Sequence, residues 1–224
     1  MKTFQDMQEG VYDPNIFKAI FLAGGPGSGK SYVVRKTTGG LGMKIVNSDD
    51  IYEKMLKDAG LEPTPEDIFS DKGQEIRVRA KKTTKVKQGG FLNGRLGVII
   101  DGTGKDFDKI KKQSEELKRI GYETAMIFVN TDLDTALARN KARKRTLPDE
   151  DVTKMWKAVQ NNIGKFQRYY GDKFIVVDNS DNADYEANVM AAYRKMAAFV
   201  KTDPKLPTAK KWIAQQKKER GIKK

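Results

Sequence analysis

The 224-residue chain contains no cysteine and no histidine. Without cysteine it forms no disulfide bonds, has no cysteine nucleophile and cannot hold zinc through thiolates. Without histidine, a general base has to be a carboxylate, a lysine or a tyrosine. Any bound metal must be held by oxygen ligands, which favours Mg²⁺ over zinc.

Long apolar runs are also missing from the sequence. No stretch approaches the roughly 18 consecutive apolar residues that a membrane-spanning helix requires. The first ten residues, MKTFQDMQEG, are polar and lack the pattern of a secretion signal. The mean hydropathy of -0.67 is typical of a protein with a large solvated surface. We therefore expect a cytoplasmic protein without a membrane partner.

The charge balance is basic but uneven. Lysine and arginine outnumber aspartate and glutamate by 43 to 30, which gives a net charge of +13. Residues 201–224 hold nine of the basic and two of the acidic residues, so +7 of the excess lies in this tail. A basic tail can bind a polyanion such as nucleic acid, or it can serve as a solvated segment that keeps the protein soluble. Both interpretations remain open at this point.

Five short runs rich in Val, Ile and Phe alternate with helical patterns along the chain. Such runs are typical of strands buried on both faces of a parallel sheet. The predicted strands are residues 18–24, 43–47, 97–101, 124–130 and 173–178. The predicted helices are residues 31–38, 50–59, 73–88, 106–120, 132–144, 149–170 and 183–201. This alternation predicts an α/β fold, a three-layer sandwich around a five-stranded, mainly parallel sheet.

The predicted domain organisation has three parts. Residues 1–17 form an N-terminal extension, residues 18–202 the α/β domain and residues 203–224 a basic C-terminal tail. Within the domain, residues 60–71 are predicted to form a loop, because two prolines and several acids break any helical period. Pro204 and Pro207 separate the tail from the last core helix. We expect residues 210–224 to be either a short surface helix or disordered.

The first predicted strand runs directly into the sequence GGPGSGKS at residues 24–31. This fits the P-loop (Walker A) pattern G-x-x-x-x-G-K-[ST]. Glycines let successive backbone N–H groups curve around phosphate oxygens, and the helix that follows favours anions at its N-terminus. We expect Lys30 to reach the β- and γ-phosphates of ATP and Ser31 to bind Mg²⁺. The predicted nucleotide-binding residues are Gly25, Pro26, Gly27, Ser28, Gly29, Lys30, Ser31 and Tyr32.

The second predicted strand ends in the sequence NSDD at residues 47–50. Side chains at the carboxyl ends of parallel strands face the crevice beside the P-loop. Asp49 is therefore predicted to be the general base that accepts a proton from an attacking hydroxyl. The alternative is that one of the two aspartates caps the following helix, a role that we assign to Asp50.

The third predicted strand ends in Asp101, within the sequence IIDGTG. An aspartate after a run of apolar residues is typical of a Walker B carboxylate, which holds Mg²⁺ or a magnesium-bound water. Asp101 and Ser31 are accordingly the predicted metal ligands. The alternative is an aspartate that merely stabilises the turn before Gly102.

A cluster of basic residues lies near the end of the helix predicted over residues 132–144. Five of the seven residues from Arg139 to Arg145 are basic. Arg139 and Arg143 are four apart, so they share one helix face. We predict that both are catalytic contacts to the transferred phosphate from an arginine-bearing lid, with Arg145 a weaker candidate. The alternative is an exposed helix end whose charges complement the helix dipole.

Taken in order, these motifs resemble the P-loop kinases related to polynucleotide kinase and the zeta-toxin kinases. The resemblance rests on GGPGSGKS, NSDD, IIDGTG and ARNKARKR and spans roughly residues 18–178. It implies a P-loop kinase fold with ATP and Mg²⁺, with Asp49 as the general base and Arg139 or Arg143 as lid arginines. The 5′-hydroxyl polynucleotide kinases carry an arginine three residues after the base. Here that position is Tyr52, which could stack on a base instead.

The segment from Arg77 to Arg95 holds seven basic residues and no acid. Its positive charge suggests which class of phosphate acceptor the protein binds. A basic wall there suits a polyanionic acceptor such as DNA, RNA or a nucleotide, whereas a solvated helix face would look similar. We expect an ATP-dependent kinase that transfers the γ-phosphate to a hydroxyl of a nucleic acid or nucleotide. The alternatives are a nucleotide-sugar kinase of the zeta-toxin type and a nucleotide-dependent switch without transfer.

Overall fold

The computed structural model describes residues 10–38, 40–142, 146–181 and 183–221. Five strands of this part form one sheet in the order β2-β3-β1-β4-β5, and every adjacent pair is parallel. The strands are β1 (Lys18–Ala23), β2 (Lys44–Val46), β3 (Val98–Asp101), β4 (Glu123–Asn130) and β5 (Phe174–Asp178). The predicted five-stranded parallel sheet is therefore confirmed.

Helices cover both faces of the sheet. They are α1 (Lys30–Thr38), α2 (Ser48–Asp58), α3 (Pro65–Phe69), α4 (Asp71–Asn93), α5 (Phe107–Arg119), α6 (Leu133–Lys141), α7 (Asp149–Gln160), α8 (Ile163–Tyr170), α9 (Tyr185–Val200) and α10 (Pro207–Glu219). Helices α1 and α9 contribute to the core on one face, and α5, α7, α8 and α10 contribute to the core on the other. Within the described ranges, no helix combines the length and the apolarity that a bilayer crossing requires.

The central strand β1 is buried on both faces of the sheet. Ala19 and Phe21 belong to the core on one face, whereas Ile20 and Leu22 belong to the core on the other. All six residues of β1 are buried. Because both faces are covered by helices, the strand reads as a continuous apolar run instead of an alternating one.

The helices differ from the prediction at residues 60–71 and 149–170. Residues 60–71 are not simply a loop, because Thr64 caps the short helix α3 by accepting a hydrogen bond from the backbone N–H of Asp67 at 3.3 Å. The single helix predicted over residues 149–170 is divided into α7 and α8. At the break, the buried Asn162 side chain donates hydrogen bonds to the carbonyls of Gly104 and Lys105, both at 3.0 Å. The break therefore ties α8 to the loop that follows β3.

The basic C-terminal segment packs against the core as helix α10. Proline stands at the first position of the helix, where its missing N–H costs nothing. Ala209 is fully buried, and the Trp212 ring meets Phe17 edge to face with centroids 5.5 Å apart. Of the two alternatives for this segment, disorder is wrong for residues 207–219. The charge of the segment is thus carried on a docked helix.

The docking of α10 can be tested with Trp212→Ala. Since Trp212 is half-buried, we expect a loss of about 2 kcal/mol in the free energy of unfolding, less than the cost at a fully buried tryptophan. For a chain of this size that lowers Tm by about 4–8 °C. Urea and thermal unfolding measure the change, and Lys211→Ala, at an exposed neighbouring position, serves as the control. Equal unfolding midpoints for the two variants would show that the helix does not stabilise the domain.

Candidate active site

The P-loop between β1 and α1 adopts a compact conformation that requires glycine. Gly27 and Gly29 have φ angles of +73° and +78°, in the left-handed region that favours glycine. A Cβ at Gly27 would collide with the backbone of Ala136, at the packed face of α6, and one at Gly29 would collide with the Asn179 side chain. The glycines of the motif therefore permit both the backbone conformation and the close approach of two other elements.

The residue that holds this loop from outside is Asn179, directly after β5. Its Nδ2 donates a hydrogen bond of 2.7 Å to the carbonyl of Ser28, and the side chain lies in a buried position. No motif in the sequence identified Asn179. The available signal was its place at the carboxyl end of a predicted parallel strand, where the P-loop also lies.

Arg139 lies beside the P-loop, attached to the segment that follows β5. Its guanidinium donates to the Asn179 carbonyl at 2.8 Å and to the Asp181 carboxylate at 2.6 Å. One of its nitrogens lies 3.9 Å from the point that a Cβ on Gly29 would occupy. The predicted arginine is thus next to the nucleotide-binding loop. Arg143 and Arg145 lie outside the described residues.

The carboxylates follow two strands that are neighbours in the sheet. β2 leads into the first turn of α2, which carries Asp49 and Asp50, and β3 ends in Asp101. Because β1 also adjoins β3, Lys30 at the start of α1 and Asp101 lie at the same edge of the sheet. The electrostatic effect of Lys30 on the pKa of Asp101 reflects this proximity. The structure therefore brings Lys30, Asp49 and Asp101 together.

The helix that carries Asp49 is capped by Asn47. The Asn47 side chain accepts a hydrogen bond from the N–H of Asp49 at 2.8 Å and donates one to Asp50 Oδ1 at 3.0 Å. The prediction that Asp50 caps the helix was therefore wrong, since the helix begins two residues earlier than expected. Asp49 lies exposed in the first turn, where its carboxylate can meet an acceptor from solvent.

A family model described as an AAA domain matches residues 20–163, from β1 to the start of α8. The chain belongs to this family. Among curated proteins, none matches its sequence.

Solved structures share the fold of this AAA domain protein at low sequence identity. A gluconokinase from Sinorhizobium meliloti 1021 is 16% identical, with 83% of this chain and 94% of that chain covered and a TM-score of 0.52. A structure of the PezAT chromosomal toxin–antitoxin system of Streptococcus pneumoniae is 15% identical, with 96% and 90% covered and a TM-score of 0.56. The AvrRxo1-ORF1:-ORF2 structure with ATP is 14% identical, with 89% and 68% covered and a TM-score of 0.59. These similarities show that the AAA domain here has the fold of P-loop kinases.

Asp101 has the properties of a Mg²⁺ ligand. Its Oδ1 is buried and has no hydrogen-bond partner among the described residues. Mg²⁺ is usually held by one or two carboxylates together with phosphate oxygens and waters, so a site with few protein ligands is expected. Asp101 and the exposed hydroxyl of Ser31 fit such a site. Among the described residues, no group of three or more acidic side chains is close enough to share an ion.

Burial and neighbouring carboxylates raise the pKa of Asp101 and of Asp50. Burial raises the pKa of Asp101, the charges of Asp49 and Asp50 raise it further, and the Lys30 ammonium opposes them. Burial also raises the pKa of Asp50, and the neighbouring Asp49 adds to the effect. The site therefore disfavours the ionised forms of Asp101 and Asp50. A bound cation would stabilise these ionised forms.

Asp101→Asn is expected to raise the Tm of the nucleotide-free protein at neutral pH. A carboxyl whose pKa is higher in the folded state binds its proton more tightly there, so it favours folding below its unfolded-state pKa. That contribution is lost as the pH rises through the folded-state pKa, whereas asparagine has no charge to desolvate. The Tm difference between variant and wild type should therefore increase from acid to neutral pH.

Thermal unfolding of wild type and Asp101→Asn between about pH 4 and pH 8 measures this difference. Asp203→Asn, at an exposed position after α9, is the control and should give nearly the same Tm as wild type throughout. A Tm difference between Asp101→Asn and wild type that stays constant with pH would contradict the prediction that the Asp101 carboxyl titrates with a raised pKa.

Proposed function

We propose that this AAA domain protein is an ATP-dependent kinase that transfers the γ-phosphate to a hydroxyl of a nucleic acid or nucleotide. The observation that carries the proposal is the convergence of the P-loop lysine and two strand-end carboxylates at one edge of the sheet. Phosphoryl transfer needs a grip on the triphosphate, an ion site and a group that orients the acceptor. Fold similarity to a gluconokinase and to a structure solved with ATP supports the same class.

In this proposal the P-loop binds the nucleotide. Backbone N–H groups of Gly25 and of residues 27–32 surround the phosphates, at the N-terminus of α1 where the helix dipole favours anions. Lys30 adds a positive charge for the β- and γ-phosphates, and Asn179 keeps the loop in shape through the Ser28 carbonyl. Ser31 and Asp101 would hold Mg²⁺, which when bound supplies charge neutralisation for the triphosphate.

Asp49 acts as the general base for the acceptor. The hydroxyl oxygen of the acceptor attacks the γ-phosphorus, and its proton passes to the Asp49 carboxylate. The bond between the γ-phosphorus and the β–γ bridging oxygen breaks, and ADP leaves with the electron pair. Since the chain contains no histidine, a carboxylate exposed at the end of β2 suits this role.

The arginines are proposed to stabilise the negative charge of the transferred group. Arg139 is held beside the P-loop by the Asn179 carbonyl and by Asp181. A guanidinium fixed in this way needs little reorganisation when charge develops on the phosphoryl oxygens. Arg143 and Arg145 are proposed to assist from the segment that follows α6.

The test is transfer of labelled γ-phosphate to a panel of acceptors: 5′-hydroxyl DNA and RNA, nucleosides, nucleoside monophosphates and nucleotide sugars. We expect transfer to a nucleic acid or nucleotide, with loss of the reaction when Mg²⁺ is chelated. Transfer to nucleotide sugars alone would favour the second candidate, a nucleotide-sugar kinase, which Tyr52 in place of an arginine supports. Hydrolysis of ATP without transfer to any acceptor would overturn the proposal.

A further inference from the structure

A small cavity of about 50 Å³ lies between α2 and α4, beside Asp49. Ser48, Asp49 and Tyr52 line it from α2, and Arg77 and Lys81 line it from α4. The proposed general base thus shares one cavity with two basic side chains. The mechanism proposed above gives these two side chains no role.

The packing of α4 on α2 explains why the two cations face this cavity. Ile76 and Ala80 of α4 are buried in a small core with Tyr52 and Leu56 of α2. Arg77 and Lys81 each follow one of these buried positions and are four residues apart, so they lie together at the edge of the interface. The apolar contact between the helices therefore fixes where the basic pair is presented.

Arg77 is held in place by the ring of Tyr52. Its guanidinium carbon is 5.0 Å from the centroid of the ring, which is 2% exposed. Stacking on an aromatic face leaves the N–H groups at the guanidinium edge available for an anion. Because the ring is buried beneath Arg77, the expectation that Tyr52 stacks on a base of the acceptor was wrong.

Neither cation forms an ion pair with a described residue. Within the described ranges, no carboxylate comes within 4.0 Å of the Arg77 or Lys81 charged groups. The Tyr52 hydroxyl is buried and also lacks a hydrogen-bond partner there. The proposed catalytic carboxylate therefore lies beside an arginine held on the Tyr52 ring and an exposed lysine, a combination that can bind an anionic group.

We propose that Arg77 and Lys81 bind a phosphate of the acceptor. The acceptor then carries a phosphate close to the hydroxyl that receives the γ-phosphoryl group, as in a nucleotide or at the end of a nucleic acid. The closeness follows from the single cavity that Asp49 shares with both cations. This inference rests on the proposed kinase function and narrows its class of acceptor.

Thymidine 3′-phosphate and thymidine form a matched pair of probes, because they differ by one phosphate and share a free 5′-hydroxyl. For the wild-type full chain, we expect KM for the phosphorylated acceptor to be about 10–100 times lower than for the nucleoside. Arg77→Gln should remove most of this difference through KM, while kcat at saturating acceptor and KM for ATP stay nearly unchanged. Lys81→Gln should have a smaller effect in the same direction.

Two further variants separate binding from structure. Arg77→Lys keeps the charge but loses the planar fork, so it should restore part of the discrimination and serves if Arg77→Gln folds poorly. Arg79→Gln removes an equal charge from an exposed position on α4 that does not line the cavity. It should leave the discrimination as in wild type.

Calorimetric binding of both probes, with a non-hydrolysable ATP analogue present, gives a readout that does not depend on transfer. Binding of thymidine 3′-phosphate that Arg77→Gln weakens, without any transfer by wild type, would support the phosphate site while refuting the kinase function. Equal losses for both probes in Arg77→Gln would mean that Arg77 merely covers Tyr52, which overturns the inference. Wild-type protein that does not distinguish the probes, or binds neither, overturns it as well.

Discussion

Lys30→Ala is expected to abolish measurable phosphoryl transfer, lowering kcat/KM for ATP by about 10³-fold. Lys30 is the first residue of α1, directly after the P-loop, and its charge acts on Asp101 at the end of β3. Transfer of labelled γ-phosphate and binding of an ATP analogue both measure the loss.

A second consequence of Lys30→Ala follows from the electrostatics. The Lys30 ammonium opposes the burial that raises the pKa of Asp101, so its removal should raise this pKa further. Lys54→Ala, at an exposed position on α2, is the control and should retain wild-type kinetics. If Lys30→Ala kept kcat/KM within about tenfold of wild type, the proposed grip on the triphosphate would be wrong.

The parts of the fold that the sequence predicted are those specified by local patterns. β1 is buried on both faces, so its composition alone identified it, and the P-loop needs glycine at fixed positions to reach its left-handed conformations. The ends of β2 and β3 were placed at the same edge by the parallel order, which brought Asp49 and Asp101 to the P-loop before any coordinate was known. These inferences needed no knowledge of distant contacts.

The parts that the sequence did not predict depend on contacts between distant segments. Asn179 is joined to Ser28 across 151 positions of the chain, and no local pattern marks such a bond. Arg77 and Tyr52 meet only because α4 packs on α2 in one register. Similarly, Trp212 docks on Phe17 although its surroundings in the sequence are basic and polar. Asp50 was wrongly predicted to cap α2 because the helix begins two residues earlier than the sequence pattern indicated.

Asp49→Asn is expected to lower kcat by about 10²–10⁴-fold while KM for ATP stays close to that of wild type. Asparagine keeps the size of the side chain and leaves the backbone bond to Asn47 intact, so the first turn of α2 should be preserved. What is lost is the ability to accept the acceptor's proton. Steady-state transfer kinetics with the best acceptor of the panel measure the change, and ATP-analogue binding confirms that the P-loop is unaffected.

The matched control is Asp50→Asn, which removes the same charge one residue further along the same helix turn. Both substitutions relieve the repulsion that raises the pKa of Asp101, so an effect that acts through Asp101 should be shared by the two variants. A base, by contrast, must be the one carboxylate that contacts the hydroxyl. Loss of kcat in Asp49→Asn alone would therefore support proton transfer to Asp49. Equal losses of kcat in both variants would instead assign the effect to the negative charge that the two aspartates place near Asp101. Near-normal turnover of Asp49→Asn would remove this residue from the chemistry altogether.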